Sequence, residues 1–277
     1  MTVSVAHKRA DFRKLHESGC FVLPNPWDAG SARLLETLGF KALASTSAGY
    51  AWSNGRPDYG LTCDEIVAHL AVLCAATDLP VNADYENGFA DAPQDVAVNV
   101  RRALQAGVAG LSIENRTSND AKPLYDDALA VERIRAARTE IDADGSGAVL
   151  VARCEGFLVG EASLDATIAR LVAFAEAGAD CLYAPGLKTK EQVVAVVKAV
   201  APKPVNVLVG AAPGFSVAEL AEIGVRRVSV GGALARSAWG GFMRAAREIA
   251  EHGTFGAFAD GYPGAELQKT FARPPRA

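Results

Sequence analysis

The sequence predicts an α/β protein of the (β/α)8 TIM-type barrel class, and three observations carry that expectation. Short runs rich in β-branched and other apolar residues recur eight times along the 277 residues. Ala-rich stretches with apolar positions at the 3.6-residue helical period separate these runs. No Gly/Ser/Pro-rich linker and no shift in composition divides the chain, so 1–277 reads as one domain with a C-terminal extension from about residue 250.

The expected strands are CFVLP (20–24), ALAST (42–46), PVNAD (80–84), GLSIE (110–114), AVLVAR (148–153), CLYAP (181–185), VNVLV (205–209) and RRVSV (226–230). Helical stretches such as DAPQDVAVNVRRALQAG, SLDATIARLVAFAEAGAD and KTKEQVVAVVKAVAP lie between them, with Gly or Pro after the last turn. Strand, helix and strand repeated in one chain imply parallel strands joined by right-handed crossovers, and eight such units close into a barrel. A doubly wound sheet, the competing architecture, would carry a GxGxxG after its first strand, and none is there.

Half of the residues are hydrophobic and the net charge is -4, with Lys and Arg scattered rather than clustered, which argues against a nucleic-acid partner. The apolar runs are too short to span a bilayer, and MTVSVAHKRADFRKLHESG lacks the apolar centre of a secretion signal, so a cytoplasmic location without membrane partners is expected. Five cysteines, an odd number without CxxC spacing, read as small core residues. His7, His16, His69 and His252 all fall in expected helices or at helix ends, which argues against histidine catalysis and against zinc.

A barrel of this class builds its active site at the C-terminal ends of its strands. The third strand ends in VNADYENGFAD, where Asn82, Asp84 and Glu86 occupy alternate positions and share one side of an extended chain. Asn, Asp and Gly also dominate ordinary turns for backbone reasons, which is the competing reading. The other ends decide between the two. They offer Asn25, Trp27 and Asp28; Thr46, Ser47 and, further on, Asp58; Glu114 and Asn115; then Arg153 and Glu155, while the last three ends carry almost nothing ionisable. An acidic wall thus faces a single arginine, and carboxylates gathered this closely need a cation. Carboxylate and amide oxygens suit a hard ion, Mg²⁺ with Mn²⁺ as a substitute.

On LPNPWDAGSARLLETLGFKALASTSAGY, LPVNADYENGF, AGVAGLSIEN, VARCEGF and AEAGADCLYAP, in that order, the chain resembles the isocitrate lyase and phosphoenolpyruvate mutase superfamily. The resemblance implies a barrel that binds Mg²⁺ and a 2-oxo or 2-hydroxy acid at its mouth. It implies making or breaking a C–C or P–C bond beside an enolate, and a homotetramer with C-terminal helices swapped between subunits. By position it implies metal-holding roles for Asp58, Asp84 and Glu114, with Asn82 and Glu86 as further ligands. Thr46 and Ser47 would grip a substrate carboxylate or phosphonate, with Trp27, Ala48 and Asp84 beside it, and Arg153 would clamp the other end. RTSNDAKPLYD (116–126) takes the place of the closing loop, where Asn119 and Lys122 join Arg153 as candidate catalytic residues and, with Arg116, are the partners a phosphonate would find.

The departures shape the functional expectation. Asn82 stands where the family has the first acid of D-A-D, Asn115 replaces a common Asp, and the turn carrying Glu86 is longer than usual. The closing loop lacks the K-[KR]-C-G-H signature whose cysteine moves a proton, which argues against isocitrate cleavage itself. Tyr50 and water become the candidate proton donors. The expected activity is an Mg²⁺-dependent C–C lyase acting on a small 2-oxo or 2-hydroxy dicarboxylate the size of oxaloacetate, 2-oxoglutarate or methylmalate. A phosphonopyruvate mutase or hydrolase, and a barrel that binds 2-oxo acids with little catalysis, are the alternatives. A class I aldolase is disfavoured because no expected strand ends in lysine.

Overall fold

In the computed structural model, which describes residues 3–161, 163–212 and 214–272, each of the eight expected runs contains its strand. These are β1 (Phe21–Leu23), β2 (Leu43–Ala44), β3 (Val81–Asp84), β4 (Gly110–Glu114), β5 (Val149–Arg153), β6 (Cys181–Tyr183), β7 (Val205–Leu208) and β8 (Arg227–Ser229). The helices are α1 (Val5–Leu15), α2 (Ala29–Thr37), α3 (Ser47–Ser53), α4 (Cys63–Ala76), α5 (Pro93–Gln105), α6 (Asp127–Asp144), α7 (Leu164–Glu176), α8 (Lys190–Val200), α9 (Val217–Ile223), α10 (Ala233–His252) and α11 (Gly264–Phe271). Side-chain capping sets several helix starts. Thr62 with Glu65, Thr189 with Gln192 and Ser216 with Glu219 form reciprocal capping boxes.

All strand pairs are parallel, in the order β1-β8-β7-β6-β5-β4-β3-β2. Between the end strands the Ala44 N–H donates to the Pro24 carbonyl at 3.1 Å. Asn25 reinforces this seam: Nδ2 donates to the Ser45 carbonyl at 2.8 Å, and Oδ1 accepts from Val230 and Gly231 at 2.9 Å each. The result is a nearly closed (β/α)8 barrel. A residue that reads from sequence as a strand-end polar group is the clasp that joins three strand ends.

Alternation along the strands divides the core in two. Leu43, Ala83, Leu111, Ile113, Leu150 and Leu182 face outward and bury the helices against the barrel. Phe21, Leu23, Val149, Val151, Cys181 and Tyr183 share the inner face with Phe12 of α1, which plugs the barrel from below. Gly110 is required beside that plug, because a Cβ there would stand 2.8 Å from Phe12 and from the Val149 carbonyl.

The register then brings the chemistry together at the other end. Glu114 pairs with Arg153 across β4 and β5, and Arg153 with Tyr183 across β5 and β6. At the C-terminus, α11 lies on α2, where Arg33 donates to the Thr270 carbonyl at 3.0 Å and covers the Phe271 ring. Residues 273–277 of the expected extension lie outside the described residues. Trp239, Phe242, Phe255, Phe258 and Tyr262 are exposed along α10 and the segment after it. Among the described residues no helix is long and apolar enough to cross a membrane.

Candidate active site

Arg153, the last residue of β5, is the hub of the barrel mouth. Its Nη1 lies 3.3 Å from Asp84 Oδ1, its Nε lies 3.3 Å from Glu114 Oε2, and Nε also donates to Glu155. The guanidinium stands over the Tyr183 ring, 5.2 Å from its centre. Burial disfavours the charge, but the carboxylates outweigh that and hold the Arg153 pKa well above its ordinary value. Glu155 is fully buried, its N–H donates to Asn115 Oδ1 at 2.9 Å, and its Oε2 has no partner. The Asn115 side chain therefore orients the backbone that carries an Arg153 partner.

Asp84 is held from the other side. The Ser47 N–H and hydroxyl both donate to Asp84 Oδ2, at 3.0 and 2.9 Å, and the Asp84 N–H donates to Ser45 Oγ at 2.8 Å. The segment expected to be a gripping loop is a short helix, α3, with Thr46 as its N-cap: the Thr46 hydroxyl accepts from the Gly49 N–H at 3.1 Å. Thr46 and Ser47 thus spend their polar groups on the cap and on Asp84. Ala48 lies beside Gly232, and Trp27 beside Gly49, both at the same rim.

The remaining acids crowd the wall beside Arg153. Burial first, then Asp84, Glu114 and Asp58 push the Glu86 carboxyl up to about 9. Burial and Asp84 raise Asp58, and burial is the main cause that raises Glu114. Five carboxylic groups, Asp84, Glu114 and Glu155 on the guanidinium with Glu86 and Asp58 beside them, form an oxygen donor set short of positive charge. A hard divalent cation fits that set. Among the described residues no three His, Cys, Asp or Glu side chains converge as a ready cage. Mg²⁺ needs none, because it typically keeps its waters and takes one or two carboxylates from the protein. Asp84, Glu86 and Asp58 are the carboxylates of this wall from which one or two could be drawn.

Asn82 lies lower in the barrel than this cluster. Its Nδ2 donates to the Ala83 carbonyl at 3.0 Å, and its buried Oδ1, which has no hydrogen-bond partner, points toward Gly110 near the plug. The loop candidates are also apart from the hub. Lys122 pairs with Asp126 at 2.7 Å, and Asn119 Oδ1 accepts from the Ala121 N–H at 2.9 Å, both exposed. Tyr50 stacks on His69, with ring centres 3.6 Å apart and planes 7° apart, and so packs against α4.

Tyr59 is the residue that sequence reasoning missed. Its hydroxyl donates to Glu114 Oε1 at 2.6 Å, and the Arg116 guanidinium from the closing loop sits 4.4 Å from its ring centre. Burial and the neighbouring Glu114 keep its proton on, raising its pKa far above the ordinary value. The signal was conformational and unreadable from residue type. Tyr59, Glu86 and Phe89 are the non-glycine residues with positive φ among those described, at 61°, 46° and 56°. All three line one cavity of about 610 Å³ beneath the loop, together with Asp58 and Arg116. Such backbone strain gathers at functional sites, because only a surrounding framework can hold it. Part of that framework is Arg133 of α6, fully buried, whose guanidinium donates to the carbonyls of Asn87, Ala90 and Asp91 in the turn after Glu86.

The chain is similar in sequence and in fold to known proteins. The family model for phosphoenolpyruvate phosphomutase matches residues 12–250. A solved Burkholderia cenocepacia J2315 protein, provisionally assigned as a lyase/mutase, is 50% identical with a TM-score of 0.95, over 99% of this chain and 98% of that one. Oxaloacetate acetylhydrolase, solved with its product oxalate, is 28% identical with a TM-score of 0.87, over 96% of this chain and 94% of that one. An oxaloacetate decarboxylase of Bradyrhizobium sp. is 32% identical over 215 residues, 74% of this chain and 70% of that protein.

Proposed function

The chain belongs to the phosphoenolpyruvate phosphomutase family, within the isocitrate lyase and phosphoenolpyruvate mutase superfamily of lyases and mutases, and from that premise we propose an Mg²⁺-dependent lyase that cleaves a C–C bond in a 2-oxo dicarboxylate of oxaloacetate size. The observation that carries the reading is the ring of Asp84, Glu114 and Glu155 on Arg153, with Glu86 and Asp58 crowded beside it. This arrangement offers a cation site and an anion-binding guanidinium within one mouth. The relatives that act on oxaloacetate support the substrate size.

In this reading one or two of Asp84, Glu86 and Asp58 would hold the metal through oxygen and water, with Glu114 behind them. The bound ion supplies positive charge to the oxygen on which charge develops as the neighbouring bond breaks. Arg153 exchanges one carboxylate partner for the distal carboxylate of the substrate, which its planar fork matches better than an ammonium does. Ser47 fixes the carboxylate of Asp84 with two donors and so limits where that ligand can move. Tyr59 holds its proton on Glu114 and, stacked beneath Arg116, joins the loop to the acidic wall, which excludes water when the loop is down. The exposed aromatic residues of α10 and the segment after it support a homo-oligomer, a tetramer in this proposal, and a cytoplasmic location is proposed with it.

The test is a panel of oxaloacetate, 2-oxoglutarate, methylmalate and phosphonopyruvate, followed by NMR with Mg²⁺, with Mn²⁺ and with EDTA. Metal-dependent cleavage of a 2-oxo dicarboxylate, lost in Asp84→Asn, is expected. Turnover of phosphonopyruvate alone would replace this reading with the P–C one, and metal-dependent binding without turnover would make the protein a binding barrel.

A further inference from the structure

Arg227, the first residue of β8, points into the barrel and is 2% exposed. Everything packed against its guanidinium is neutral. Nε donates to Asn206 Oδ1 at 2.9 Å, Nη1 lies 3.3 Å from His16 Nε2, and the Phe12 ring centre is 5.8 Å away. The His16 Nδ1–H is committed to the Phe12 carbonyl at 2.8 Å, so Nε2 offers Arg227 a lone pair. Burial and Arg227 itself keep that imidazole uncharged, down to about 3. The other groups that act on the Arg227 charge are the Cys181 thiol and the Tyr183 hydroxyl, both also held neutral by burial. Asp180, the acid of this end of the barrel, is bonded to Arg13, Arg138 and the Leu150 N–H.

A guanidinium cannot shed its proton in a protein, and a buried charge is ordinarily paired with an opposite one. Arg227 borders the lower end of a small cavity of about 40 Å³ that opens at the strand ends, where Asp84 and Arg153 of the mouth line it with Asn25, Ser45 and Gly231, and that runs down past Tyr183 and Ser229. Asn82 borders it too, and its buried Oδ1 lacks a partner there. One water needs roughly 10–15 Å³ of such space, so the cavity has room for a small ion together with a water. We propose that the barrel floor is a binding site for a monovalent anion, which compensates Arg227 while a water beside it donates to Asn82 Oδ1. The anion chemistry is shared by two sources, a free halide and a terminal carboxylate reaching down from a ligand at the mouth.

The experiment is thermal melting of the whole chain without metal, in sodium bromide, chloride or formate against sodium gluconate at equal ionic strength. At about 100 mM, an anion with millimolar affinity is expected to raise the melting temperature by roughly 2–4 °C over gluconate. Anomalous scattering from bromide-soaked crystals should place the ion within hydrogen-bonding reach of Arg227. Arg227→Met is expected to lose the anion effect. If that variant fails to fold, Asn82→Asp serves instead, because a carboxylate on the cavity wall replaces the ion and should abolish the bromide effect. The sources separate in a competition: a halide that weakens 2-oxo acid binding marks the floor as a carboxylate subsite, and an additive effect marks it as a structural halide site. Equal melting in bromide and gluconate, or no bromide peak within reach of Arg227, including a peak on Arg153 alone, would overturn the proposal. Since nothing in this readout requires turnover, it stands or falls separately from the proposed lyase activity.

Discussion

Arg153 and Arg227 project into the same barrel, yet Arg153 meets three carboxylates while Arg227 meets an amide oxygen, a neutral imidazole and an aromatic face. The mouth is built from charges that can change partners: a cation or a substrate carboxylate entering there finds groups already desolvated and mutually repelling. The floor is built from dipoles fixed by their neighbours, with His16 locked on the Phe12 carbonyl and Asn206 on the Ser229 hydroxyl at 3.0 Å. Backbone strain follows the same division, since the positive-φ residues Tyr59, Glu86 and Phe89 border the mouth cavity and none lies on the floor. The difference teaches that burial alone does not mark a site. Buried charges whose partners compete for them do.

The largest expected effect breaks the mouth at its hub. Removing one partner from a buried, hydrogen-bonded charge pair costs about 3 to 5 kcal/mol, a hundredfold to a few thousandfold in affinity. Arg153→Lys keeps the charge but loses the fork that meets Asp84, Glu114 and Glu155 together. Binding of oxaloacetate or 2-oxoglutarate, measured by calorimetry with Mg²⁺, should fall below detection, while pyruvate, which has no distal carboxylate, should weaken far less. Equal losses for all three acids would mean that Arg153 does not take the distal end.

Next comes the pH response of the acidic wall. The unfolded chain gives up the Glu86 proton near 4.5, whereas the fold keeps it to about 9. Across that window the native state binds the extra proton, so rising pH favours unfolding. From pH 5 to 8 the metal-free protein should lose about 2 to 4 kcal/mol from this group. Glu86→Gln should flatten the fall in urea titrations. Mg²⁺ should flatten it as well, because the ion takes the proton's place. A wild type whose stability is level across the window, without metal, would show that Glu86 is not held neutral.

The floor should respond in the opposite sense. His16 is neutral in the fold down to about 3 but titrates at 6.5 when unfolded. Its contribution is fully present above 6.5 and is lost as pH falls toward 3, because only the unfolded chain takes up the proton. At pH 5 the loss should reach about 2 kcal/mol. His16→Gln should be less stable than the parent at pH 7.5 and close the gap at pH 5. A gap that stays constant with pH would show that His16 titrates normally in the fold.

Much of this division was legible in the sequence, and the remainder was hidden for physical reasons. The eight strands and the acids at their ends could be read because period and residue type are local properties. Asn82 reads as a partner of Asp84 on parity alone, but the side chain bonds along its own strand and leaves its oxygen near the floor. Arg227 shares its parity with Ser229, which marks it as inward, but its lack of a counter-charge depends on residues from α1 and β7 far away in sequence. Tyr59 acquires its role through a backbone angle of 61°, which its side chain gives no reason to expect.

The smallest expected effect tests whether the closing loop belongs to the mouth at all. The Lys122–Asp126 pair is short, 2.7 Å, but its side chains are 61% and 73% exposed. Such pairs contribute under about 1 kcal/mol, because water screens them and ordering two long side chains offsets the attraction. Lys122→Ala should therefore leave stability within about 0.5 kcal/mol of the parent. Affinity should change equally little, since the side chain is spent on Asp126 rather than on Arg153 or Asp84. A lid acts on the closed state, so any effect should appear in kcat with KM unchanged. Arg116→Ala is the sharper companion, because it also removes the cover over Tyr59 and should lower kcat more than Lys122→Ala does. A raised KM for Lys122→Ala would mean that the loop carries a substrate contact and that the recognition assigned to Arg153 is shared with it.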